Sequence, residues 1–132
     1  MATIKNTRTF TDLDLSFRIN PFTRDLYRKT DEEAVKTALK HLLLTKNFER
    51  PFHPEIGTQI HSLLFELFSP AVKLAMERTI RDAIEKFEPR VRLIDVAVQE
   101  TEDSNDLRVN IVFALRNIDA PITLTTLLSR VR

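Results

Sequence analysis

With 132 residues, 42% of them hydrophobic and 30% charged, the chain has the composition of a folded globular protein rather than a disordered one. Its 20 basic and 19 acidic residues leave a formal charge of +1, which argues against nucleic acid as the main partner, because phosphate binding needs a basic face. The lack of cysteine excludes disulfides and thiolate metal sites, the single glycine (Gly57) excludes glycine-rich phosphate loops, and no apolar run suits a signal peptide or a membrane span.

Residues 1–29 are expected to form an extended arm. Phe10, Leu13, Leu15, Phe17 and Ile19 alternate roughly with polar residues until Asn20-Pro21 turns the chain. An arm this apolar is expected to lie on its own core or on a neighbour, held there by Asp12 and Asp14. Thr30, with Glu33 three residues on, has the capping-box pattern, and Asp31, Glu32 and Glu33 suit the positive end of a helix dipole. Ala34, Val35, Ala38, Leu39, Leu42 and Leu43 then form an apolar stripe, predicting a helix that ends near Lys46-Asn47. Two prolines and the glycine make residues 48–57 a loop. A short second helix follows, with Ile60, Leu63, Leu64, Leu67 and Phe68 on its buried side. Ser69-Pro70 pairs an N-cap with a proline at the first helical position, opening a third helix that runs to Phe87. Its core stripe is Val72, Ala75, Met76, Ile80, Ala83, Ile84 and Phe87. Glu77–Arg81, Arg81–Glu85 and Asp82–Lys86 are opposite charges four apart on its wet face. Pro89 stops it.

The period then changes to two. Ile94, Val96 and Val98 alternate with polar or small residues, a polar turn spans Thr101 to Asp106, and Leu107, Val109, Ile111, Phe113 and Leu115 alternate again. A last run, Ile122 to Leu128, follows Pro121 and reads as a third, shorter strand. The expected fold class is α+β, with three N-terminal helices packed on a small C-terminal antiparallel sheet. One domain is expected over 1–132, made of the arm (1–29), a helical part (30–88) and a sheet part (90–129). Met76, Ile80, Ala83, Ile84 and Phe87 are expected to face Val109, Ile111 and Phe113.

Little here suggests catalysis. His41, His53 and His61 have no metal-site spacing, and neither a metal nor a cofactor is expected. No serine has the context of a nucleophile elbow. Glu66, Glu77, Glu85 and Glu88 qualify by type for glycoside hydrolysis, but most have basic neighbours at exposed helical positions, as on a solvated face. Glu88-Pro89-Arg90 differs. It places opposite charges on a stiff corner between helix and strand, which is either a plain helix stop with an incidental exposed ion pair or a docking point for another chain.

That corner carries a family resemblance. Helix–Glu88-Pro89-Arg90–strand resembles the signature of baseplate wedge subunits of T-even-type contractile phages, a family shared with type VI secretion baseplates. Phe10-Thr-Asp-Leu-Asp14, Thr30-Asp-Glu-Glu-Ala-Val-Lys36, Glu49-Arg-Pro-Phe-His-Pro-Glu-Ile-Gly57 and Leu64-Phe65-Glu66 are similar to family segments, in order and over nearly the whole chain. The resemblance implies a structural, non-enzymatic adaptor that initiates the tail sheath, sited in the virion's tail baseplate and assembled in the host cytoplasm. The implied partners are a helical bundle of wedge-core proteins, docked at Glu88, Pro89 and Arg90, and the tail sheath protein, with the tail tube or hub as a further neighbour; nucleic acid and membrane are not expected. Some members are called lysozymes, so a peptidoglycan hydrolase is the alternative, to be recognised by two carboxyls facing across a cleft. The segment Ile122-Thr123-Leu124-Thr125 lies in an uncharged run rich in β-formers and is the candidate sheath-facing strand.

Overall fold

The computed structural model describes residues 10–102 and 105–130. Its elements are β1 (Thr11–Leu13), β2 (Arg28–Thr30), α1 (Asp31–Leu44), α2 (Ile60–Leu64), α3 (Pro70–Phe87), β3 (Val91–Glu100), β4 (Asp106–Leu115) and β5 (Ile118–Ser129).

The arm folds back on itself. β1 and β2 pair antiparallel, Thr11 opposite Thr30, and an isolated bridge joins Ile19 to Leu26. Leu13, Leu15, Phe17, Ile19 and Phe22 stay exposed rather than resting on the core. Polar contacts hold the hairpin instead: Asp14 is buried, its carboxylate accepting the Ser16 N–H (3.0 Å) and lying 4.0 Å from the Lys29 ammonium.

α1 buries Ala34, Val35, Leu39, Leu42 and Leu43 as its stripe predicts. Its start departs from the capping box. Thr30 makes no side-chain cap bond, and Asp31 has a positive φ of 44° while its carboxylate accepts the Phe10 N–H (3.0 Å). The acid ties the hairpin to the helix rather than closing the helix alone. α3 opens as predicted, with Ser69 Oγ accepting the Val72 N–H (3.3 Å) and Pro70 in the first turn.

Three packed N-terminal helices are not what the chain forms. The order begins with strands, and α2 is five residues long. Leu67 is 89% exposed, although α2 was expected to bury it. Ser69-Pro70 restarts the chain so soon after Gly57 that the segment between them has room for one turn only. α3 supplies the main helical cover, and the class remains α+β.

The sheet order is β3-β4-β5, all antiparallel. Met76, Ile80 and Ile84 of α3 join Val96, Val98, Val109, Ile111 and Phe113 in one core with Val35, Leu39 and Leu43. Phe87 lies outside that core and is half-buried, because it faces Asn47, Gly57 and Thr58 on the loop side of α3 rather than the sheet. A bulge between Leu93 and Asp95 leaves Ile94 without a partner. Inward parity switches from Val91 and Leu93 to Val96 and Val98, and Ile94 is turned outward. β5 is the longest strand rather than the shortest: it starts straight after Arg116-Asn117 and runs through Pro121, which an edge strand tolerates.

Candidate docking corner and strand edge

The corner is built from the end of α3. The Glu88 N–H still bonds the Ile84 carbonyl (2.9 Å), but Pro89 turns Glu88 out of the helical region, to φ −122° and ψ 83°. That geometry folds the Glu88 carboxylate back over the residue two ahead. Arg90 grips it as a fork, Nε to Oε1 at 2.7 Å and Nη2 to Oε2 at 2.9 Å. The third arm of the guanidinium, Nη1, reaches Asp12 Oδ2 of the hairpin at 3.1 Å, and the Phe10 ring centroid lies 5.8 Å away. The Arg90 carbonyl accepts the Arg116 N–H (3.1 Å) from the β4–β5 turn.

One arginine therefore joins hairpin, helix and sheet. Its pKa is pushed further above the ordinary arginine value, first by the Glu88 hydrogen bonds and then by Asp12, so it stays cationic throughout. Glu88 is only 7% exposed. An incidental surface ion pair does not describe this corner, and its charges already have partners within the chain. Asp12 was legible as a holding residue for the arm; its pairing with Arg90, 78 residues away, was not.

Histidines and carboxylates take ordinary places. His61 Nε2 lies 3.1 Å from the Leu44 carbonyl, and His53 Nδ1 lies 3.2 Å from Glu55 Oε1. Glu66 and Glu85 are exposed. Glu77, read from sequence as wet-face charge, instead accepts the Val98 N–H (3.1 Å). Glu88 and Asp12 both bond the Arg90 guanidinium, which neutralises them, while Glu100, Glu102 and Asp106 line a separate open pocket together with Arg108.

Ile122, Thr123, Leu124 and Thr125 lie mid-way along β5, at the opposite edge of the sheet from β3, so corner and strand form two separate sites. Ile122 and Leu124 are half-buried and packed against the core, while Thr123 and Thr125 are exposed. The backbone direction follows from one hydrogen bond. Arg130 N–H donates to the Asn105 carbonyl (2.9 Å), just beyond the Asp106–Ser129 pair. Main-chain groups of even-numbered residues in this stretch thus face β4, and those of Pro121, Thr123, Thr125 and Leu127 face outward. By the same alternation the Val98 N–H on β3 points away from β4, and there the Glu77 carboxylate covers it.

Residues 29–120 match the family described as baseplate wedge protein gp25. The baseplate wedge protein gp25 of Enterobacteria phage T4 is 30% identical over 114 residues, which span 86% of this chain and 84% of that protein. Among solved structures, a protein of Geobacter sulfurreducens described as a tail lysozyme superposes with a TM-score of 0.71 at 22% identity, covering 76% of this chain and 92% of that one. A chain of the anti-feeding prophage baseplate superposes at 0.66 and 20% identity, covering 98% and 93%. At such identities these structural likenesses bear on the fold alone. The match over 29–120 and the likeness to the phage T4 protein go further: the chain belongs to the baseplate wedge protein gp25 family.

Proposed function

We propose that this chain is a non-enzymatic connector in a contractile-tail baseplate, docking on wedge-core proteins through the Glu88-Pro89-Arg90 corner and accepting a strand from the first sheath ring along β5. Its place would be the tail baseplate, reached by assembly in the host cytoplasm. The observation that carries the reading is the asymmetry of the sheet. The β3 edge is blunted by a bulge, by Arg92, Asp95 and Glu100, and by the Glu77 carboxylate on Val98 N–H. The β5 edge has Pro121 near one end, then no charge from Ile122 to Ser129, and no strand beyond it among the described residues. A long, uncharged, unpaired edge is a hazard that soluble proteins remove unless pairing is its purpose. The corner fits a docking role because Glu88, Arg90 and Asp12 hold one another in fixed positions, and Pro89 stands exposed at its tip.

The test uses Thr125→Pro. The Thr125 N–H faces outward, so proline removes a donor from the open edge and leaves the ladder to β4 whole. The folded variant, verified by circular dichroism, is expected to enter baseplates that fail to grow sheath. Normal sheath on such baseplates would overturn the strand-acceptor reading. Arg90→Lys keeps the charge but not the fork and is expected to weaken attachment to the wedge core at least tenfold. Unchanged attachment would remove the corner from the interface. Lysis of purified peptidoglycan by the wild-type chain would overturn the non-enzymatic reading.

A further inference from the structure

Loop 45–58 is fixed as firmly as a helix end. The Phe48 N–H bonds the Pro54 carbonyl (3.0 Å), the Thr58 N–H bonds the Thr45 carbonyl (2.9 Å), and Thr58 Oγ1 reaches the Leu43 carbonyl (3.1 Å). Yet this fixed loop turns two phenylalanines out to solvent. Phe48 is 80% and Phe52 is 96% exposed, and both have a positive φ of 67°, a conformation that bulky residues seldom adopt. Folding gains nothing from either ring, and the backbone beneath each is strained.

Both acids of the loop are exposed but engaged within it: Glu49 accepts the Lys46 N–H (2.8 Å), and Glu55 faces His53 at 3.2 Å. Arg50, between the two phenylalanines in sequence, meets no carboxylate within ion-pair distance among the described residues. It lines a cleft between the hairpin and α1 whose apolar walls include Leu13, Leu15, Ala34 and Ala38. Asp12 borders the same cleft, but its carboxylate is bound to Arg90. Thr11, Thr37 and His41 complete a lining of mixed polarity, in which Arg50 is the cation without a carboxylate partner among the described residues.

We infer that this loop and cleft form a second protein-docking face, one that receives an acidic, apolar segment of a neighbouring baseplate protein. Phe48 and Phe52 enter apolar pockets of that neighbour, and Arg50 pairs with a carboxylate that it brings. Buried aromatic and arginine side chains are the groups that dominate such interfaces. The face rests on the reading of the chain as a baseplate component; it adjoins the Glu88-Pro89-Arg90 corner at Asp12 and is distinct from the β5 edge.

Hydroxyl-radical footprinting of the free chain and of assembled tails tests it. Oxidation of Phe48 and Phe52 is expected to fall about tenfold on assembly; oxidation equal to that of the free chain would overturn the face while leaving the baseplate role intact. Absence of the wild-type chain from tails would instead defeat the baseplate role. A Phe48→Gly, Phe52→Gly double variant suits the positive φ values and stays folded. It is expected to lose incorporation at least tenfold, as is Arg50→Glu, with Arg50→Lys retaining most of it. Wild-type incorporation by the double variant and by Arg50→Glu would also overturn the proposal. Flotation of the free chain with phosphatidylglycerol vesicles, abolished in the double variant, would reassign the face to an anionic lipid surface and so overturn it as well.

Discussion

At the scale of single residues, backbone conformation separates positions that look alike in sequence. Gly57 has φ +137°, and a Cβ there would come within 2.7 Å of the Lys46 carbonyl carbon and oxygen. Gly57→Ala is expected to destabilise by about 2 kcal/mol or more, read by urea denaturation. Phe52→Gly works in the other direction: at φ 67° and almost fully exposed, it is expected to leave stability unchanged or raise it by up to about 1 kcal/mol. The single glycine was visible in the sequence as a loop marker; the strain under Phe48 and Phe52 was not, because no local pattern announces a positive φ in phenylalanine. Burial divides the aromatics in the same way. Phe113 is fully buried, and Phe113→Ala is expected to cost about 3–5 kcal/mol. Phe87 shared the helical stripe but ends α3 half-buried, so Phe87→Ala is expected to cost about 1–2 kcal/mol, and equal midpoints for the two variants would contradict this packing.

At the scale of elements, periodicity located α1, α3, β3 and β4 closely. It failed where one residue resets a pattern. Ile94 reads as inward until the bulge shifts its parity, and Pro121 reads as a boundary although an edge strand absorbs it. The hairpin was hidden for another reason: main-chain pairing and acids hold it rather than an apolar face. Those acids give it a pH dependence. The Asp14 carboxyl is held below its ordinary 3.8, chiefly by the Ser16 backbone N–H and side chain, and Asp25 below the same value, chiefly by the Leu26 N–H. A depressed carboxylate stabilises the fold fully above its unfolded-state pKa and loses that contribution as pH falls through the lower folded-state value. The hairpin is expected to loosen as pH drops below 3.8 while the helices persist. Tyr27, the one tyrosine in a chain without tryptophan, reports it, since its carbonyl accepts the Asp14 N–H (3.0 Å) and Arg18 lies 5.9 Å from its ring. Asp14→Asn is expected to flatten that acid limb in Tyr27 fluorescence; an unchanged limb would place the transition elsewhere.

At the scale of the whole molecule, Arg90 is the point where separate segments become one body. Replacing it leaves Glu88 buried without its cation and frees Asp12 of the hairpin. Arg90→Ala is expected to destabilise by about 2–3 kcal/mol and to speed proteolysis before residue 30. Equal stability and equal cleavage would show that the hairpin is held by β1–β2 pairing and the Phe10–Asp31 bonds alone. Of the candidate sites, the corner was legible because a proline between two charges after a helix is a local pattern. What the corner grips was not legible, because its third member lies far away in sequence. The open edge was half legible: the uncharged run was plain, but only the strand order could say that it is an edge.

The unequal edges of the sheet have a consequence that polymer chemistry states most simply. A unit with two reactive ends propagates; a unit with one can only start a chain or stop one. With Glu77 on Val98 N–H and charges along β3, this chain has, on the strand-acceptor reading proposed above, a strand valence of one, on β5. On that reading two copies meeting by β5 would form a closed pair and go no further, and the molecule would seed an array of other subunits without becoming an array itself. Raising the valence to two is expected to change that. A Glu77→Ala, Arg92→Thr, Asp95→Val, Glu100→Thr variant strips the blunting side chains from the second edge and is expected to give open assemblies whose light scattering climbs with concentration, while the wild-type chain levels off at a pair.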